Sequence, residues 1–187
     1  MLLPMAPSMG QTPKAEPPPA ASAPQVADRR AVDGLLTALR TAPTEEAAAK
    51  IETQLGTLWL NAASPAVRLL LSRGARELNE SAANDAFDSF DAALDLDAEL
   101  LDAWRGRAQA RLRMGDAAGA TRDLQEVLKR EPRNFAAWQD LSKIAEARGD
   151  WRGALAAWQK LLEVDPRSPG AAARLKDLRR RALGEDA

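Results

Sequence analysis

From Asp28 onward, apolar residues recur three and four places apart, and no run alternates apolar with polar as a half-buried strand would. The pattern predicts helices throughout this body. Val32, Leu35, Leu36 and Leu39 share one face of a first helix, which must stop at Ala42-Pro43. Thr44 is a good N-cap for a second helix. Glu45 and Glu46 follow in the turn where the helix dipole favours acid, with Ile51, Leu55, Leu58 and Trp59 on the buried side. Ser64-Pro65 reads as the N-cap and first position of a third helix. Residues 28–62 are therefore expected to form a helical hairpin.

After that hairpin the pattern becomes periodic. With Val67, Leu101 and Phe135 in one column, 34 residues apart, the following positions agree without a gap. The fourth is Leu70, Trp104 and Trp138, and the eighth is small each time, as Gly74, Ala108 and Ser142. The twentieth is Ala86, Ala120 and Ala154; the twenty-fourth is Phe90, Leu124 and Trp158. The twenty-eighth is Leu94, Leu128 and Leu162, and the thirty-second is Ala98, Pro132 and Pro166. Small residues at the eighth and twentieth places let two helices of one hairpin approach, and the large residue at the twenty-fourth fills space against the next hairpin. Gly115-Asp116 and Gly149-Asp150 each end one helix and N-cap the next. The first copy is the weakest, with Ser81 at the glycine place and Ala98 at the proline place.

Period and residue types together resemble the tetratricopeptide repeat (TPR) family. The resemblance implies an all-α, right-handed α-solenoid with repeats at 67–100, 101–134 and 135–168. The segment 169–184, with Ala171, Ala172, Leu175, Leu178 and Ala182 on one side, resembles the solvating helix that caps such arrays. The hairpin at 28–62 is read as either a degenerate repeat or an N-terminal cap, and it could also pack over Leu71 and Leu78 and close that end of the groove. The layout of Leu58-Trp59-Leu60, Ser64-Pro65-Ala66-Val67 and three repeats is similar to that of small alphaproteobacterial TPR proteins.

Departures from the family pattern point to charge inside the array. The seventh place, a core leucine in the family, is Arg73 and Arg107, and the eleventh is Glu77, Arg111 and Ala145. Arg73 and Arg107 are expected to lay their stems along the core and pair with Glu77 or the Asp91 region; the other reading has them face a ligand. By resemblance, the first helix of each repeat lines a concave groove, and the candidate binding residues are Arg68, Leu71, Arg105, Gln109, Leu112, Arg113, Gln139 and Lys143. The cationic clamp of the chaperone-binding subgroup is replaced by Leu71, Ala75, Gly106, Ala136 and Asp140.

Composition narrows the chemistry. The 187 residues include no His, Cys or Tyr, which excludes disulfides, thiolate nucleophiles, imidazole bases and the commonest metal ligands. Neither a catalytic residue, a cofactor nor a metal is expected. A net charge of -1 gives no field to gather nucleic acid, and no apolar run is long enough for stable membrane insertion. Residues 1–27 hold Pro4, Pro7, Pro13, Pro17, Pro18, Pro19 and Pro24, and read as a disordered Pro/Ala-rich tail. Its opening resembles a truncated signal peptide, with Ser8 and Gly10 spaced for cleavage, which would place the protein in the periplasm; the alternative is cytoplasmic. The expected function is a non-catalytic scaffold or adaptor for a protein or peptide partner; the alternative is an accessory subunit of a cell-envelope enzyme or assembly complex.

Overall fold

A computed structural model describes residues 23–61 and 63–184. All regular structure among them is helical: α1 (Ala23–Arg40), α2 (Glu45–Asn61), α3 (Pro65–Asn79), α4 (Ala83–Leu96), α5 (Leu101–Arg113), α6 (Ala117–Arg130), α7 (Phe135–Ala147), α8 (Trp151–Val164) and α9 (Ala171–Leu183). Helix α1 begins at Ala23, inside the stretch assigned to the Pro/Ala-rich tail. The segment read as a signal peptide lies outside the described residues.

Local chemistry sets the helix ends. The Val67 and Ala47 N–H groups donate to the Ser64 and Thr44 hydroxyls at 3.3 and 3.1 Å. Asp116 and Asp150 accept from the Gly119 and Gly153 amides at 2.7 and 2.8 Å, after Gly115 and Gly149 at φ 86° and 73°. In the first repeat Ser81 occupies that left-handed place, at φ 62°, where a side chain is strained.

The 34-residue register carries into three dimensions as α3–α4, α5–α6 and α7–α8, each hairpin packed on the next, with α9 closing the end on α8. Ala86, Ala120 and Ala154 are fully buried, and Phe90, Leu124 and Trp158, four residues on, are nearly so. Trp104 Nε1 donates to the Ala98 carbonyl at 2.8 Å, and Trp138 Nε1 to the Pro132 carbonyl at 2.9 Å. The same bond thus joins consecutive repeats twice. On α9, Leu178 is fully buried and Ala171 nearly so.

The arginines at the core-leucine place are paired, as expected. Arg73 Nε lies 2.7 Å from Glu77, with the arginine mostly in solvent and the Glu77 side chain largely covered. Arg107 binds Asp91 and, through two nitrogens at 3.1 and 2.8 Å, Asp123 of α6, which also accepts from Arg111 at 2.7 Å. Asp123 is 2% exposed, and both guanidinium groups stack near aromatic faces, Arg107 over Trp104 at 4.7 Å and Arg111 over Phe87 at 5.3 Å.

The N-terminal hairpin departs from both stacking readings. Instead of lying ahead of α3 as a further repeat or end cap, it folds back along the array, with α1 on α8 and α2 on α5. Leu36, Leu39, Ala48 and Leu55 form one buried cluster with Val164, and Trp59 meets Phe135 with ring centroids 6.1 Å apart. The Gly170 N–H donates to Glu45 at 3.4 Å, and Arg133 pairs with Asp33 at 2.8 Å. Seventeen residues of helix extend roughly 25 Å, enough for α2 to run from the α8–α9 turn back to the first repeat.

Ser81→Gly relieves the left-handed strain and is expected to stabilise the protein by about 1 kcal/mol in urea denaturation. Asp123→Ala takes from Arg107 and Arg111 the buried carboxylate they share and is expected to cost roughly 3–5 kcal/mol, while Arg73→Ala, whose guanidinium is mostly in solvent, is expected to shift the unfolding midpoint far less.

Candidate functional site

Between α2, α3 and α5 lies a cleft of about 570 Å³, lined among others by Gly56 and Leu60 of α2, Leu71, Ala75 and Leu78 of α3, and Gly106 of α5. Its floor is Phe90, reaching up from α4. A Cβ on Gly74 would lie 2.8 Å from the Phe90 ring, and one on Gly106 would run into it. The two glycines therefore admit an aromatic ring between α3 and α5, which leaves the cleft shallow and apolar at its base.

The polar edge of the cleft comes from Arg68, Asp102, Arg105 and Gln109. Arg68 donates to the Ala63 carbonyl at 2.8 Å. Arg105 is engaged on two sides, with Asp102 at 3.7 Å and with Asp140 of α7 at 3.2 Å. Burial pushes the Asp102 carboxyl above its ordinary value, and the Arg105 charge pulls it part of the way back. Gln109 is exposed, and Leu60, on α2, is 39% exposed at the opposite wall.

Of the candidate residues, Arg68, Leu71, Arg105 and Gln109 share this cleft. Leu112 and Arg113 lie at the far end of α5, where Arg113 donates to the Leu78 carbonyl and ties α5 to α3. Gln139 and Lys143 sit on α7, 3.4 Å apart, with Lys143 3.8 Å from the same Asp140 that Arg105 uses. The α2 wall, Gly56 and Leu60, was not among the candidates, because its place depends on how the hairpin docks rather than on the repeat.

Beneath α2 sits a second polar cluster. Glu52 faces Asp165, the fully buried residue that ends α8, and neither Glu52 Oε1 nor Asp165 Oδ2 has a donor partner. Burial and the facing carboxylate push the Glu52 carboxyl up to about 8, against a smaller opposing hydrogen bond from Ser168. Glu52 follows Ala48 by four residues and precedes Leu55 and Trp59 by three and seven, so it interrupts the apolar stripe of α2. That interruption was its legible signal.

Other charged features are internally paired. The basic run of α9 is engaged by Glu146, which takes Arg174, and by Asp177, which takes Arg180 and Arg181. Glu80 and Ser81 form the exposed turn after α3. Among the described residues, no three His, Cys, Asp or Glu side chains stand together as a metal site, and no helix is long and apolar enough to cross a membrane.

Residues 111–178, from the end of α5 into α9, match the family model described as tetratricopeptide repeat. A TPR repeat-containing protein of Rhizobium etli is 25% identical over 122 residues, 65% of this chain and 60% of that protein, so the match spans less than two thirds of the curated relative. Among solved structures, the first TPR of Spaghetti (RPAP3), bound to the HSP90 peptide SRMEEVD, has a TM-score of 0.59 at 20% identity and covers 66% of this chain and 97% of that one. The crystal structure of MamA protein has a TM-score of 0.55 at 18% identity and covers 83% of each chain. These two likenesses are of fold. The gapless 34-residue register, the three stacked hairpins and a tetratricopeptide repeat match running from the end of α5 into α9 agree on an all-α fold like that of tetratricopeptide repeat arrays.

Proposed function

We propose that the protein is a non-catalytic scaffold that takes an apolar-anchored peptide or protein segment into the cleft between α2, α3 and α5. The observation that carries this reading is the cleft itself, with an apolar base of Leu71, Leu78 and Phe90 and with Arg68 and Gln109 at its edge. Apolar side chains of a partner gain by leaving water there, and Gln109 offers a donor and an acceptor to a peptide backbone. The RPAP3 neighbour was solved with a peptide, which supports peptide binding as the use of such a surface.

An acidic chain terminus is poorly served by this cleft. Leu71, Ala75 and Gly106 present no charge, and Arg105 is already committed to Asp102 and Asp140. Selectivity therefore rests on shape and apolar contact. Service as an accessory subunit of a cell-envelope enzyme remains the alternative, and recovery of one stoichiometric partner would favour it over exchange among several peptides.

Peptides selected on the immobilised protein from a random library are expected to share apolar anchors. Ala75→Arg, an exposed position on the cleft wall, is expected to weaken them by about tenfold or more without lowering the melting temperature. Unchanged affinity in that variant removes the cleft from the function.

A further inference from the structure

The N-terminal hairpin lies over the array as a strap, and its polar attachment is unusual. Apolar contacts of Leu36, Leu39, Leu55 and Trp59 hold it to Val164 and Phe135. At the centre of this interface stand two acids from different elements, Glu52 of α2 and the fully buried Asp165 at the end of α8, with Glu52 Oε1 and Asp165 Oδ2 both enclosed and without a donor. Two carboxylates can share such a site only if one keeps a proton and donates it to the other.

The surrounding charges leave this pair uncompensated. Asp165 accepts from the Arg167 amide at 3.3 Å, a neutral donor, and Ser168 supplies a hydroxyl. Across the adjoining small cleft, α5 presents Asp102 and Arg105, with Arg105 taken up by Asp102 and Asp140. From α7 that cleft receives only Phe135 and Ala136. On α1, Asp33 is paired with Arg133 of the α6–α7 turn, and within α2 Lys50 is paired with Glu46. Glu45 accepts from the Gly170 amide.

We propose that docking of the α1–α2 strap is proton-coupled, with Glu52 and Asp165 sharing one proton as its latch, so that acid closes the strap and base loosens it. On docking, Glu52 takes up a proton from water and donates it in a hydrogen bond to Asp165; on release the proton returns to water. The docked Glu52 titrates near 8 against an ordinary 4.5, so docking is at full strength below 4.5 and is progressively lost as pH rises through 8. Across that window the docking constant falls by up to about tenfold per pH unit. Because α2 forms one wall of the cleft, opening the strap changes access to it; that consequence rests on the proposed function, whereas the latch itself does not.

The composition makes the test clean. With no His, Cys or Tyr, no side chain of ordinary pKa titrates between about 5.5 and 9, leaving the chain's amino terminus and the raised acids. A cysteine-free chain also accepts two labels without background. Spin labels at Glu46→Cys on α2 and Lys176→Cys on α9 of the full chain report docking by pulsed electron resonance, with no partner added.

The expected result is a single short distance at pH 5 and a longer population that grows toward pH 9. Glu52→Gln carries a permanent donor to Asp165, and circular dichroism checks its fold. In that background the short distance is expected to persist at pH 9. A distance indifferent to pH in the labelled parent overturns the proposal. So does an undiminished pH response in Glu52→Gln, which would assign the effect to Asp102 or the amino terminus.

Discussion

The distance between the two helices of each hairpin is the constraint on which the array depends. Ala86, Ala120 and Ala154 set it, each without exposed surface, and the preceding helix of each hairpin carries a small residue in turn, Gly74, Ala108 or Ser142. With the helices that close, the side chain four residues further on reaches beyond its own hairpin. Phe90 therefore arrives between α3 and α5, where Gly74 and Gly106 leave it room. The floor of the candidate cleft is thus a consequence of the packing register, and its shallow apolar form follows from a ring held where two side chains are missing.

Charge enters the array where the register admits it. Arg107 and Arg111 replace residues that would have been apolar, and Asp123 takes both, with Trp104 and Phe87 beneath them. Burying one acid among two guanidinium groups satisfies the carboxylate oxygens, but makes each member depend on the others. The same logic applies on the cleft side, where Arg105 bridges Asp102 and Asp140 and so links α5 to α7. Several arginines that a linear reading assigns to a ligand are thereby occupied within the protein, which shifts recognition toward apolar contact.

What the sequence made legible was whatever recurs. The repeat, the caps at Ser64, Asp116 and Asp150, and the pairing of Arg73 and Arg107 follow from spacing within one or two helices, and so leave a periodic trace. Candidates on α3 and the first turns of α5 gathered in one cleft for the same reason. The path of the hairpin left no such trace. Its docking brings Leu39 into one cluster with Val164 and pairs Asp33 with Arg133, partners a hundred or more residues apart that no period encodes. Leu60 and Gly56 could be assigned to the cleft only after that path was known.

One residue did mark the hidden interface. An amphipathic helix that faced solvent on one side would carry Glu52 outward, yet its place between Ala48, Leu55 and Trp59 forces it into the buried stripe. A helix tolerates such an acid only by finding it a cation or by keeping it protonated. Here the surface it meets ends in Asp165, so the first solution is closed and the second follows. The apolar contacts then supply the attraction of the strap, and the acid pair makes that attraction depend on pH.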